Sequence, residues 1–496
     1  MDPAEPTLES LLRARAASFG PELARLAAER GLAVTRKDGS TQPIPLTATP
    51  VVRDGAELRR RAALSAQVSS ATFKVSRAVL AGADRELLLS ALSPLERRLA
   101  EATFQRVARL ATVRVDYFER EGQPFALEVN ATIPAMQGYS DIAAHTFLEV
   151  VGRHAGMTPG QVAQLKARNG SNAEALCRAL LAAYARERGG KAPTRIALLC
   201  RRNDAQLTEQ RHLAARFTQL GTEAHVVHPD ELSGGDTVTA RGMAFDLLYR
   251  HLFVRRLEET PAPWVTELLA QVPSPRVVVL NPPASQVEVK TSFALLSRAL
   301  GEPALARAAG LSEEELAAAR AAVPWTRPFR TGRAVDPDGR EVADLVARVA
   351  AEPGRFVLKR AWDYGGRAVF VGKTLGEPGF EERVKAAYGE PLDWPALCAR
   401  AAVDPAGGGF VVQELVEAVA QPHLLCTADG VHEVELFVDF SAYASVGLDS
   451  APAWGGVCRG SLSRIVNIVG GGGVLPLLQA DVAAELRAAL LAAPPA

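Results

Sequence analysis

The runs Thr112-Val113-Arg114-Val115-Asp116-Tyr117-Phe118 and Phe125-Ala126-Leu127-Glu128-Val129-Asn130, joined across Glu121-Gly122-Gln123-Pro124, decide how this chain is read. Each run alternates, and the stretch between them carries turn residues, so the pair predicts an antiparallel hairpin. Period-two alternation puts Arg114 and Asp116 on one face, and Glu128 and Asn130 on one face of the neighbouring strand. A cation and three oxygen donors can then converge. Magnesium takes hard oxygen ligands and is commonly held by a few carboxylates plus phosphate oxygens. Asp116, Glu128 and Asn130 are therefore a candidate phosphate-bridging metal set, although the hairpin taken alone also describes a solvated face with incidental charges.

Outward from the hairpin, residues 7–35 and 54–112 are rich in Ala, Leu, Arg and Glu with apolar positions three and four apart, as in Leu87, Leu88, Leu89, Leu92 and Leu95, which predicts a helical first unit. Helical patterns resume after Asn130 and run to about Arg188, where Gly189-Gly190-Lys191-Ala192-Pro193 marks a boundary. A strand over 195–200, a helix over 208–220 ended by Gly221, and a strand over 224–227 read as a βαβ-type unit. Apolar runs at 245–249 and 276–280 extend it to a small, mostly parallel sheet. From Lys290 onward helices at 290–300, 311–322 and 340–351 alternate with strands at 356–359, 368–371, 410–414 and 433–440. No internal repeat is present, and the class is α+β with mixed sheets.

Composition bounds the function. At 496 residues and 48% hydrophobic content, two to four structural units are expected. Lys+Arg and Asp+Glu are equal at 56 each, which removes the electrostatic footprint of a nucleic-acid or anionic-membrane binder and favours small-molecule partners. The start Met1-Asp2-Pro3-Ala4-Glu5 is acidic and no long apolar stretch follows, so a cytoplasmic protein without a signal peptide or spanning helix is expected. Cys177, Cys200, Cys398, Cys426 and Cys458 are scattered, without metal spacing, and read as reduced and buried. Ser461 and Ser463 lack a nucleophile-elbow pattern, and the eight histidines are not arranged as ligands. His251, beside Arg250, reads as a partly buried, hydrogen-bonded side chain. Gly470 to Gly473 reads as a flexible loop rather than a phosphate nest.

Two later signals carry chemistry. Lys359 closes an apolar strand and is followed by Arg360-Ala361-Trp362-Asp363-Tyr364-Gly365-Gly366-Arg367. A strand lysine meets phosphate as a point charge, and a glycine turn lets backbone N–H groups close over phosphates. An ordinary hairpin turn would carry the same glycines. Phe410-Val411-Val412-Gln413-Glu414-Leu415-Val416 is an apolar strand ending in two polar residues, an edge that can meet an adenine but is also the common form of an amphipathic strand end.

In this order the pieces resemble the circularly permuted branch of the ATP-grasp superfamily, which includes glutathionylspermidine synthase-like ligases. In that branch the R-x-D and E-x-N hairpin precedes the lysines, as Arg114/Asp116 and Glu128/Asn130 do here. The likeness extends through Leu127 to Pro134, Asp246 to Arg250, Asn281-Pro282-Pro283 to Lys290, Lys359 to Gly366, and Gln413-Glu414, over roughly 110–475.

It implies that Asp116, Glu128 and Asn130 hold magnesium, and that Lys290 and Lys359 contact ATP phosphates. Gly365 and Gly366 would lie in the covering loop, with Gln413, Glu414 and Val416 bordering the adenine. Arg114 would stabilise the transferred phosphoryl group or acyl phosphate, and Arg464 would be a second phosphate-facing arginine, with Arg459 competing for that role. The expected organisation is a helical region over 1–110 and the metal hairpin with its helices over 111–190. A small pre-ATP-grasp-like α/β unit over 191–280 and a nucleotide-binding region over 281–496 would complete it. The function it implies is an ATP- and Mg2+-dependent carboxylate–amine ligase working through an acyl phosphate. Rival readings are an ATP-dependent phosphotransferase and a catalytically degenerate binding protein. The stretch between Lys290 and Lys359, with Pro324-Trp325 and Pro328, and the linker after Glu414 depart from the ligases, so neither the acid nor the amine carries over.

Overall fold

The computed structural model describes residues 5–107, 109–363, 365–448, 455–466 and 472–494. Among these residues the strands form three principal sheets. The largest has seven strands in the order Gln421–Thr427, Leu46–Thr47, Gly473–Leu475, Gly456–Ser461, Gly430–Val446, Leu110–Arg120, Gln123–Asn130. A four-stranded antiparallel sheet runs Thr326–Phe329, Phe410–Glu414, Phe356–Arg360, Val369–Val371. A four-stranded parallel sheet runs Val278–Leu280, Leu247–Arg250, Arg195–Leu199, Glu223–Val227, with the helix Leu207–Gln219 between its first two strands in sequence.

The hairpin that opened the sequence reading forms, with a shorter turn. Only Glu121 (φ 54°) and Gly122 (φ 77°) lie outside the strands, the two positive φ values that a right-twisted two-residue hairpin turn requires. Gln123 and Pro124, expected in the turn, pair with Arg120 and Glu119 instead. Proline is tolerated there because this strand is the edge of its sheet. Alternation then sorts the Leu110–Arg120 strand by face. Val115 and Tyr117 pack with Val68, Val75 and Val79 of the helix Gly55–Ala81, each such burial contributing roughly 1.5–3 kcal/mol. Arg114 and Asp116 are left on the opposite face.

The first 110 residues are not purely helical. Short strands lie between the helices Leu8–Glu29 and Gly55–Ala81, ahead of the helix Pro94–Thr103, and of these strands Leu46–Thr47 belongs to the seven-stranded sheet. Nor are these residues separate from the rest. Ser93 and Glu96 form a capping box that starts the helix Pro94–Thr103, and the same Glu96 accepts a 2.8 Å hydrogen bond from the Trp362 indole beside the glycine turn. Pro328, in the stretch that departs from the ligases, sits on an edge strand of the antiparallel sheet, where its missing N–H costs no ladder bond. Of the four-glycine run, Gly470 and Gly471 lie outside the described residues, whereas Gly473 begins a strand paired with Gly460, so this end is sheet rather than loop. The five cysteines are all buried and unbonded. No described helix is long and apolar enough to cross a membrane.

Candidate functional site

The seven-stranded and antiparallel sheets face each other across a cleft of about 920 Å³. On the first sheet, Asp116 is paired with Glu128 and Arg114 with Asn130, so the four sequence-selected residues share one face. The register slips directly beyond Asp116, whose next neighbour Tyr117 pairs with Ala126. This bulge leaves Leu127 without a ladder partner. Its carbonyl accepts from Lys359 Nζ across the cleft at 3.2 Å.

Asp116 is heavily committed. Arg114 Nε and Nη2 donate to its two oxygens at 2.7 and 3.1 Å, and Arg459 Nη2 donates at 2.9 Å. Arg459 also grips the buried Asp439, its Nε lying 3.0 Å from Oδ2. Burial raises the Asp116 carboxyl, but the Arg114 and Arg459 guanidiniums outweigh it and hold it well below the usual carboxylate range. Glu128 is looser: one oxygen lies 3.3 Å from Lys290 Nζ. Burial opposes its charge, yet Lys290 and then Lys359 leave its carboxyl below the ordinary value. Among the described residues Asn130 makes only a 3.4 Å contact, from Nδ2 to the Arg114 carbonyl.

Glu128 and Asn130 are hard oxygen donors with capacity to spare, and thus suit Mg2+, with Asp116 contributing charge from behind its arginines. Among the described residues no three His, Cys, Asp or Glu side chains group around a cation position. A metal here would therefore lean on Asn130 and on ligand phosphates.

On the opposite wall Lys359 projects from an apolar strand and is 9% exposed. Besides Leu127 it donates to Gln413 Oε1 at 2.7 Å. Burial pulls its amine down to about 8, with Glu128 opposing. Lys290 starts the helix Lys290–Ala299 and donates to the Asp363 carbonyl at 2.9 Å, at the mouth of the glycine turn. Gly365 (φ 68°) and Gly366 (φ 73°) both occupy the left-handed region. A Cβ on Gly366 would come within 2.6 Å of Ile465 Cγ2, so the turn lies tight against the 460s segment. Deeper in, Val357, Val369, Val371, Leu415, Val416 and Ala418 form an apolar slot suited to a planar base.

Three of the sequence-selected residues already have partners within the protein. The Gln413 amide does not lie free for an adenine, because Oε1 holds Lys359 and Nε2 donates to Thr326 Oγ1 at 3.1 Å. Glu414 turns away from the cleft to face Arg355 at 3.7 Å, and Leu415 lines the wall instead, as strand alternation requires. Arg464 lies at the apolar end, donating to the Ala418 carbonyl at 3.0 Å with its guanidinium 4.8 Å from the Phe437 ring centre. Arg459 is the arginine in the charged cluster.

Sequence reasoning missed Asp439, whose one visible signal is its place in the 433–440 strand. It also missed an adjoining cavity of about 1340 Å³. That cavity shares Glu128, Lys290, Asp363, Gly365, Gly366 and Arg459 with the cleft, and reaches Arg201, Asp204, His251 and Arg256 near the parallel sheet. His251 is fully buried, with Nδ1 3.1 Å from Gln210 Nε2 and Nε2 3.5 Å from Asp204.

No family model matches the chain, and no curated protein matches its sequence. Among solved structures, a glutathione synthetase-like effector from Globodera pallida in its apo form is similar at 13% identity, over 96% of this chain and 98% of that one, with a TM-score of 0.58. The two therefore share a fold along nearly their whole length. A candidate gamma-glutamylcysteine synthetase from Methylobacillus flagellatus aligns over 81% of this chain and 85% of that one at 12% identity, with a TM-score of 0.36, too low to establish a common fold.

Proposed function

We propose that this protein is an ATP- and Mg2+-dependent ligase that joins a carboxylate to an amine through an acyl phosphate, on a permuted ATP-grasp scaffold. The observation that carries the reading is the junction of the two cavities, where Lys290, Glu128 and the Gly365-Gly366 turn belong to both. The apolar slot takes the base, and the charged end takes the phosphates. The adjoining cavity takes the carboxylate and amine.

ATP supplies the phosphoryl group, and Mg2+, when bound by Glu128 and Asn130 with the Asp116 charge behind them, supplies charge neutralisation. The chain's own residues position and compensate. Lys359 and Lys290 meet phosphate oxygens, Gly365 and Gly366 let the backbone close over them, and Arg459 holds Asp116 charged. Arg114, anchored by Asp116 and by the Ala135 carbonyl at 3.0 Å, keeps a fixed positive centre beside the acyl-phosphate position. Phosphoryl transfer depends chiefly on positioning and electrostatics, so this mechanism requires no covalent enzyme intermediate.

The nearly full-length likeness in fold to a glutathione synthetase-like effector supports this reading. Calorimetric titration of Mg-ATP into the wild type and Lys359→Ala tests it, followed by ATP-turnover screening with paired acids and amines. Wild-type protein that binds no nucleotide in the presence of Mg2+ would sink it. Turnover that needs only one acceptor and releases a phosphorylated product would instead mark a phosphotransferase.

A further inference from the structure

A separate groove of about 1330 Å³ runs along the edge strand Thr326–Phe329 and shares no lining residue with the cleft. Its charged walls are Arg298, Arg327, Arg330 and Arg333 against Glu302 and Glu341. Arg298 is occupied by Glu302 at 2.9 Å. Among the described residues, none of the other three arginines has a carboxylate within ion-pair distance.

Arg327 is the informative one. It is half-buried, lies with its guanidinium 5.2 Å from the Trp325 ring centre, and donates through Nη1 to two neutral acceptors, Ser297 Oγ at 3.1 Å and the Thr326 carbonyl at 2.9 Å. Burial lowers its guanidinium pKa, and the nearby Glu302 only partly offsets this. A half-buried cation with neutral acceptors alone carries a desolvation cost that an anion would relieve. The arginine fork matches phosphate and carboxylate geometry in particular.

Arg327 also has a line to the cleft. Ser297 Oγ accepts from Thr326 N at 3.0 Å, and Thr326 Oγ1 accepts from Gln413, whose amide oxygen holds Lys359. We infer that the groove is a second anion site, taking a small, multiply charged phosphate ester or polycarboxylate on Arg327, Arg330 and Arg333, and that its occupancy is linked through Ser297, Thr326 and Gln413 to Lys359. The link, unlike the site, rests on the nucleotide reading of the cleft.

The test uses the full chain with inorganic pyrophosphate and citrate as probes, titrated calorimetrically at low ionic strength. Wild type binds at least one probe, Arg330→Ala/Arg333→Ala weakens it by about tenfold or more, and Lys359→Ala retains it. Both substituted arginines are exposed, so the double variant is expected to fold. Preference for pyrophosphate assigns a phosphate ligand, and preference for citrate a carboxylate one. Binding of neither probe at millimolar concentration overturns the site. So does loss in Lys359→Ala with retention in the double variant, which places the anion in the cleft. A bound probe that shifts Mg-ATP affinity in wild type but not in the double variant supports the link, and an unchanged affinity removes it. Wild type that binds no Mg-ATP leaves the groove titration readable on its own.

Discussion

Across the cleft, Asp116 on the seven-stranded sheet has both carboxylate oxygens bound by arginines, whereas Lys359 on the antiparallel sheet has, among the described residues, only the neutral oxygens of Leu127 and Gln413 as hydrogen-bond acceptors. Both groups are buried and charged. The first is compensated within the protein and serves as scaffold. The second bears a desolvation cost that shows in its lowered pKa, and an incoming phosphate relieves it. The contrast separates residues that hold the site together from residues that wait for ligand.

The largest effect that could break this distinction is on stability. Asp116→Asn leaves Arg114 and Arg459 short of one countercharge, and is expected to cost about 3–5 kcal/mol in chemical denaturation. A loss near zero would show that the cluster is not a scaffold. Lys359→Met reverses the pattern, leaving stability unchanged or higher while Mg-ATP affinity falls by about 2 kcal/mol, or some thirtyfold, in calorimetry. Equal losses from the two substitutions would erase the comparison.

Gly366→Ala tests the turn between the two walls. Its Cβ meets Ile465 and its φ is left-handed, so a loss of about 1–2 kcal/mol is expected in thermal melts, with weaker nucleotide binding alongside.

The smallest signal is protonic. The folded pKa of Lys359, about 8, lies below its ordinary 10.5. Between those values the unfolded chain holds a proton that the folded one has released. Stability therefore gains as pH rises through that window, and the full burial penalty applies below it. Phosphate restores the charge, so Mg-ATP binding near pH 8–9 should take up a fraction of one proton, measured as buffer-dependent heat. Lys359→Met should abolish that uptake.

How much of this was legible depends on the range over which each feature is set. The hairpin face was readable because alternation is a local property: Arg114, Asp116, Glu128 and Asn130 needed only strand parity to fall together. The turn was misjudged by two residues because Pro124 usually breaks a strand, and only the sheet order shows that it lies on an edge. Strand parity puts Glu414 on the face opposite Gln413, and in the structure it faces Arg355. Arg459 and Asp439 could not be placed from spacing, since their meeting with Asp116 depends on strands more than 300 residues apart in sequence.

The sequence by itself determined which segments alternate, where the glycine turn follows the strand lysine, and that the charges balance. These rest on the fixed periods of strand and helix and on the φ freedom of glycine. Only the tertiary structure decided which charges are spent and which are waiting. Whether a guanidinium or a carbonyl stands beside Asp116 or Lys359 is settled by sheet order, by the bulge that frees the Leu127 carbonyl, and by burial. Desolvation and Coulomb energies act between neighbours in space, wherever those neighbours lie in the chain.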